Sequence, residues 1–429
     1  VRANPKHVKL FHWGKLLTIT GGAQALVQGL SLISGILVIQ LLPTREYAWY
    51  TIVNTMLGSM VILTDGGIGI GVMAEGAKVW QSKENLGIVR ATGLVLRKRF
   101  AFVSLIIAMP ILIYLLLHHE ASWKTTLLIC ASLVPVLYAS LSDSLLEIFP
   151  KLHQDLISLQ KNQLAVSASR LLLTGLTLFL FPFAFVAMIA SGIPRIYGNI
   201  RLAKIANIFS DRHQKPDLQI KKRILKVVNR IMPEAIYYCL SGQITIWLIS
   251  IFGKTTAIAQ IGALGRLAMT LNIFTAMFSI IVIPRYAKLQ NNKMILFRRL
   301  FQIISSMLFI CVFVVIIVWT FPHQTLWILG EKYKNLDTHL LFLSICGSCL
   351  NLLGASFLGL STSRGWAIHP FLSIITSLTA TVCGIILFDI SSIKGVLEIN
   401  IFIALFQLVM HGSYAIIKIA NSKDYFSGF

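Results

Sequence analysis

The chain has 429 residues, of which 56% are hydrophobic and only 13% charged, with a mean hydropathy of +0.77 and a formal net charge of +22. That charged fraction is about half the ordinary value for soluble domains, which excludes a water-soluble globular enzyme as the first reading. The excess of cations does not indicate nucleic-acid binding either, because the cations lie in short stretches between long apolar runs, as the positive-inside bias produces.

In chain order, the basic N-terminal stretch VRANPKHVKLFHWGK is expected on the cytoplasmic side, with no cleavable signal peptide after it. Twelve apolar spans follow, at 16–42, 51–74, 99–118, 123–146, 163–181 and 183–200, then 234–252, 258–283, 297–320, 336–360, 366–388 and 394–417. Between the sixth and seventh lies Asn199–Arg230, the longest stretch that cannot sit in lipid, with nine cations against Asp211 and Asp217. It divides the chain into a six-span half (1–198), a basic connector (199–230) and a second six-span half (231–429). The expected fold is an all-α polytopic membrane protein of about twelve transmembrane helices, in two six-helix halves around a central cavity.

An even number of spans puts both termini on one side. With the N-terminus inside, 31 of the 38 lysines and arginines fall on the cytoplasmic side. Two cytoplasmic connectors, Lys78–Arg99 and Pro150–Arg170, mix aliphatic residues with cations and read either as interfacial helices or as solvated links.

Polar residues inside the spans recur at helical spacing. Gly21, Gln24, Gln28, Ser31 and Gly35 share one face of span one, and Asn54, Gly58 and Asp65 a similar line of span two. Glu234, Tyr238, Ser241 and Thr245 do the same in span seven, and Gly262, Arg266 and Thr270 in span eight. Any one stripe is explained by helix packing through small and hydrogen-bonding residues. Four stripes in matching positions of two halves suggest a polar cavity, with Gln24, Gln28, Asn54, Ser241, Thr245, Thr270 and Arg266 on its wall and Glu234 and Asp65 as coupling or ion-pairing acids. Arg266 stays charged at any accessible pH. It binds a phosphate, pairs with an acid such as Glu234, or snorkels to the outer interface if span eight starts late. Asp65, Glu75, Asp143, Glu147 and Glu398 lie near span ends, where solvation is the ordinary expectation.

Other motifs carry little. Gly66–Gly71 lacks nucleotide-loop spacing and instead contains a Gly67/Gly71 packing pair, and there is no Walker lysine. Cys346 and Cys349 have CxxC spacing without a second ligand pair, and His118, His119 and His153 have no metal partners at useful spacing. No metal, disulfide, cofactor or catalytic residue is expected.

Leu41–Gly71, reading LLPTREYAWYTIVNTMLGSMVILTDGGIGIG, resembles the start of the bacterial polysaccharide exporters, the lipid-linked oligosaccharide (O-antigen-type) flippases of the MATE-like (MOP) superfamily. Leu42, Pro43, Glu46, Tyr47 and Tyr50 fit that family's turn after span one, and Asp65, Gly67 and Gly69 its ending of span two. Gln260–Leu267 is similar to its second-half signature. Ala48, Ala263-Leu264 and Glu75 depart from the pattern. The resemblance implies a flippase in the bacterial inner membrane that moves an undecaprenyl-pyrophosphate-linked oligosaccharide between leaflets for surface polysaccharide biosynthesis. It also implies membrane lipids and polysaccharide polymerase machinery as partners. A cation-coupled multidrug antiporter of the same superfamily is the nearest alternative, although Thr18–Leu42 lacks the acid such proteins usually carry in span one. A membrane glycan polymerase or glycosyltransferase is the alternative of a different class, and the longest outer connection, Phe321–Asn335, has only Glu331 as an acid.

The charge asymmetry generates a topology test. With cysteine introduced at Lys221 or Lys332, an impermeant maleimide is expected to label position 332 in intact cells and position 221 only after permeabilisation. Labelling of 221 but not 332 in intact cells would reverse the topology.

Overall fold

The computed structural model describes residues 5–241, 244–287, 289–290, 292–364, 366 and 368–421. Among them the regular structure is helical, with no strand. Hydrocarbon offers nothing for backbone N–H and C=O groups to bond, so a crossing segment must satisfy them within itself, and a helix does so.

Each of the twelve expected spans is a helix or an interrupted helix. Span one is Pro5–Leu41; span two is Thr44–Asp65 continued by Ile68–Lys78 after a 41° bend; spans three to six are Lys83–His118, Trp123–Leu146, Leu156–Leu180 and Ala184–Phe209. Span seven comprises Leu218–Ser241 and Ile244–Phe252. Span eight comprises Thr255–Ala268, Leu271–Met277, a π-helical turn at Phe278–Val282 and a short Ile283–Ala287 helix. Spans nine to twelve are Lys293–Thr320, Thr338–Ser363, Pro370–Leu387 and Ile393–Ala420. Among the described residues, eight helices are each long and apolar enough to cross a bilayer, nine counting the bent pair of span two.

The helices run further than their apolar cores, which corrects the reading of the connectors. Span three has 36 residues, about 54 Å at 1.5 Å per residue against roughly 30 Å of hydrocarbon. Most of Lys78–Arg99 is therefore the first turns of span three, and most of Pro150–Arg170 the start of span five. In the Asn199–Arg230 connector only residues 210–217 are non-helical. Several links end on a side-chain cap: Ser82 Oγ accepts from the Asn85 amide at 3.3 Å, Ser122 Oγ from Thr125 at 3.1 Å and Asp155 Oδ1 from Ser158 at 3.3 Å. Such caps satisfy amides that a helix start leaves unbonded.

The chain forms two compact units, residues 33–262 and residues 1–32 with 263–429. Within the first, Ile68, Val72, Leu86, Leu96, Phe149 and Ile224 belong to one buried core. The bend in span two is a two-glycine turn. Gly66 and Gly67 have φ of +41° and +96°, in the left-handed region that disfavours side chains. Both also face span seven closely: a Cβ on Gly67 would lie 2.9 Å from Ile231 Cβ, and one on Gly71 2.9 Å from Ile224 Cγ2. The Gly67/Gly71 pair is thus a packing face. Polar side chains add bonds between helices, from Asn162 Nδ2 to the Gly198 carbonyl (3.1 Å), Asn199 Nδ2 to that of Ala139 (2.6 Å) and Arg195 Nη1 to Ser140 Oγ (2.6 Å).

Within the second unit, Phe278, Tyr286, Leu296, Leu300, Leu360 and Ile419 form a core cluster. Spans ten and twelve approach through Gly347, where a Cβ would meet Asn400 and Ile401 at 3.3 Å, and through Gly354. The described cysteines are free thiols, and Cys311 and Cys349 donate only weakly to each other's carbonyls at 3.7 and 3.9 Å.

A Gly67→Val substitution meets both backbone strain, about 1–3 kcal/mol, and overpacking of similar size. It is expected to lower the thermal unfolding midpoint in detergent clearly. Gly58→Val, where nothing lies within 4 Å of the added carbon, is expected to leave it nearly unchanged, and equal midpoints for the two variants would contradict this account of the bend.

Candidate functional site

Asp65 closes the first helix of span two, and the turn after it returns the Gly69 amide to Asp65 Oδ1 at 3.2 Å. The same oxygen accepts from Arg97 Nη2 of span three, forming an ion pair. Arg97 is 3% exposed. Its other terminal nitrogen donates to the Leu141 carbonyl and, at 2.6 Å, to Ser144 Oγ of span four. The guanidinium thus joins spans two, three and four, and it needs all of these partners because a lone buried charge is costly. The pair borders a cavity of about 840 Å³ whose walls are otherwise mainly apolar, among them Ile70, Met73 and Ile231. The Asp65 side chain is 35% exposed, so the carboxylate forms the open side of the pair.

Glu75 follows the same pattern. It is 8% exposed, and it accepts from Lys78 Nζ at 2.5 Å and from Arg223 Nε of span seven at 2.7 Å. The expectation of simple solvation therefore fails for Glu75, and Asp65, still 35% exposed, also takes part in an ion pair. Their lengths of helix project into packed neighbours that carry cations.

In the other unit, Arg266 is in the last turn of Thr255–Ala268, where a cation favours the carbonyl end of the helix. The apolar span runs over residues 255–275, which places Arg266 near its midpoint, about 16 Å from Thr255 at 1.5 Å per residue. The helix breaks at Met269–Thr270, and Arg266 Nη1 approaches Met269 Sδ at 3.6 Å while Thr270 Oγ1 donates to the Leu267 carbonyl at 2.7 Å. Immediately beside the break is a cavity of about 330 Å³ with Asn272, Thr275, Ser348 and Asn351 on its wall. These side chains are uncharged donors and acceptors, suited to hydroxyl-rich ligands.

Gln24 and Gln28 are half-buried on span one, and Asn54 is half-buried on span two. A Cβ added at Gly21, Gly58 or Gly265 would meet nothing within 4 Å, whereas one at Gly262 would meet Thr51 Oγ1 at 2.5 Å. Three of these glycines therefore face open space, and Gly262 alone is a close helix contact. The side chains of Glu234, Tyr238, Ser241 and Thr245 lie outside the described residues. Among the described residues no cluster could hold a metal ion.

Arg97 was not singled out by sequence because it falls within a cationic stretch preceding an apolar run. One signal was available: Arg90 and Arg97 are seven residues apart, on one helix face, and both are buried. Arg90 donates to Asn207 Oδ1 at 2.7 Å and to Ser210 Oγ at 3.1 Å. At the other end of this unit the 119–122 turn lies outside the spans. There Trp49 Nε1 donates to the His119 carbonyl at 3.1 Å, and His119 Nε2 donates to the Ser250 carbonyl at 2.7 Å. Burial pushes the His119 imidazole below its usual pKa, and the Ser250 carbonyl opposes that shift.

Removing Asp65 while Arg97 stays leaves a buried guanidinium short of its counter-ion, and the loss is expected to fall below the ~3–5 kcal/mol of fully buried pairs because the Asp65 side chain is 35% exposed. Asp65→Ala should therefore unfold below wild type, and Asp65→Ala with Arg97→Met should recover part of the loss. A double variant no more stable than Asp65→Ala would show that the pair is not what the packing requires.

No protein-family model matches the sequence, and no curated protein matches it at a significant level. Solved structures do match. An inward-facing multidrug resistance MATE-family transporter of the MOP superfamily superposes with a TM-score of 0.76 at 16% identity, covering 93% of this chain and 96% of that one. A eukaryotic MATE transporter gives 0.66 at 14% identity over 96% and 98% of the two chains. An outward-facing MATE-family transporter of the MOP superfamily gives 0.64 at 14% identity over 95% and 96%. At these identities the likeness establishes a common fold: the chain is a multi-span, all-helical membrane protein with the fold of the MATE transporters.

Proposed function

We propose that the protein is a membrane transporter, and specifically a flippase for an undecaprenyl-pyrophosphate-linked oligosaccharide. The observation that carries this reading is the placement of Arg266: a permanent cation near the middle of an apolar span, three residues before a helix break whose cavity has Asn272, Thr275, Ser348 and Asn351 on an otherwise apolar wall. Broken helices near the bilayer midplane expose backbone groups and helix ends to substrate in repeat-built transporters. A guanidinium suits the oxygens of a pyrophosphate, and amide and hydroxyl side chains suit a sugar, while the polyprenyl tail can remain in lipid.

The MATE fold is shared with multidrug transporters, as the descriptions of the matched structures state. For an organic cation, however, the expected intramembrane group is a carboxylate. Span one has none, the Asp65 carboxylate of span two is already paired with Arg97, and Glu234 of span seven is the intramembrane acid left for a cation. In the proposed cycle the halves 1–198 and 231–429 alternate in exposing the substrate path, and Gln24, Gln28 and Asn54 line it. Asp65 and Glu234 are the candidate coupling acids, and both termini lie in the cytoplasm of a bacterial cell. No catalytic step is required of the chain.

Arg266→Ala is expected to reduce transport by one to two orders of magnitude. Hydrogen bonds to charged groups contribute about 1.5–3 kcal/mol, and each ~1.4 kcal/mol is a factor of ten. Arg266→Lys should restore activity only in part. Gln24→Leu with Gln28→Leu should lower export at an unchanged protein level. Accumulation of the lipid-linked intermediate in the inner leaflet provides the readout, and wild-type flux in Arg266→Ala would end this reading.

A further inference from the structure

A second cavity in the 263–429 unit, about 480 Å³ in volume, lies where span eight ends and span nine begins. Arg285 reaches it from the Ile283–Ala287 helix. Arg299, Gln302 and Ser306 reach it from span nine, where their spacing of three and four places them on one face. Arg299 Nη1 donates to Gln302 Oε1 at 3.1 Å. The remaining wall is partly apolar, including Val282 and Met307. Arg364, at the end of span ten, donates to the Tyr286 carbonyl at 3.2 Å and the Leu289 carbonyl at 3.0 Å, and so fixes the turn beside the cavity.

The charge distribution of this unit is one-sided. Its described acids are Glu331, Asp337, Asp389 and Glu398, and all follow spans nine and eleven. Glu331 pairs with Lys334, Glu398 lies near Lys394, and Asp337 and Asp389 bond within their own turns. Arg285, Lys293, Arg298, Arg299, Arg364 and Lys418 stand at the opposite ends of the helices. Among the described residues no carboxylate pairs with Arg285 or Arg299. Two guanidiniums on the wall of one cavity repel each other, so the site calls for an anion. The flank of span nine indicates its source: Phe301, Leu308 and Phe309 are exposed, at 74%, 49% and 73%, as lipid-facing side chains are.

We propose that this cavity binds the phosphate of an anionic diacyl phospholipid from the leaflet at that end, distinct from any transported substrate. Arg285 and Arg299 would grip the phosphate oxygens, and Gln302 and Ser306 the glycerol or headgroup hydroxyls. An acyl chain would run along Val282 and Met307 toward the exposed phenylalanines. A lipid held there ties the end of span eight to span nine, directly below the π-helical turn. Arginine forks favour such contacts, and cations at a membrane surface gather anionic lipid.

The test uses the full-length protein purified in a neutral detergent, with lipid binding followed by native mass spectrometry and by the thermal unfolding midpoint. Phosphatidylglycerol is expected to bind and raise the midpoint. Phosphatidylcholine and inorganic phosphate at the same concentration should do neither. Arg285→Gln with Arg299→Gln should weaken phosphatidylglycerol binding at least tenfold, and both side chains are exposed, so the lipid-free midpoint should hold. Ser306→Trp, which fills the cavity and keeps both charges, should weaken binding as well. Unchanged phosphatidylglycerol affinity in both variants overturns the proposal. So does equal stabilisation by inorganic phosphate, which would make this a free-anion site, or loss of binding on removing Lys222 and Arg230 of the connector instead.

Discussion

Hydrocarbon supplies neither a hydrogen-bond partner nor a counter-ion, and most of what distinguishes this chain follows from that constraint. Where the sequence is apolar, the backbone satisfies itself in long helices. Where buried side chains of residues 33–262 carry charge, partners from neighbouring helices meet it. Arg97 is the clearest case, with Asp65, Leu141 and Ser144 around one guanidinium. Arg90 has Asn207 and Ser210, and Glu75 has Lys78 and Arg223. Each cluster joins segments far apart in sequence, so the charges specify which helices meet more than they add net stability.

Places where helical continuity fails are correspondingly informative. The turn at Gly66-Gly67 is enclosed by span seven and carries the Asp65 cap, so its freed amide is bonded locally. Both breaks border a cavity, but the one at Gly66-Gly67 has mainly apolar walls beside the Asp65–Arg97 pair, whereas the one at Met269–Thr270 has the uncharged polar side chains Asn272, Thr275, Ser348 and Asn351 on its wall. Non-helical backbone at membrane depth is tolerated where it lines such a space. The π-helical turn at Phe278–Val282 adds a second irregularity to the same span, a feature frequent at functional sites.

Much of the architecture was legible in the sequence, because hydropathy reports directly on lipid exposure. A helix or interrupted helix lies at each of the twelve expected spans, up to nine of them long and apolar enough to cross a bilayer among the described residues, and the Gly67/Gly71 packing pair is also present. What escaped was what hydropathy does not encode. Span three begins at Lys83 rather than near residue 99, since a helix continues into water whenever propensity and caps such as Ser82 allow. Glu75 reads as solvated, and Asp65 as solvated or ion-pairing with no partner named, because the basic partners, Arg97 and Arg223, lie 32 and 148 residues away. The polar stripes were legible as faces, but which face is open depends on neighbours: Gly58 and Gly262 occupy similar positions, and only Gly262 touches another helix. The polar cavity beside span eight also draws Ser348 and Asn351 from span ten, and no stripe there pointed to Arg266.

The central claim, that the intramembrane cation serves an anionic lipid-linked glycan, is tested most directly by reconstitution. Purified protein in proteoliposomes would be given a fluorescent polyprenyl-pyrophosphate-linked oligosaccharide in the inner leaflet. Its appearance outside would be read by an impermeant quencher, with uptake of an organic cation under a proton gradient measured on the same preparation. Translocation of the lipid-linked glycan without cation uptake is the expected result. Proton-driven cation uptake with no movement of the glycan would contradict it.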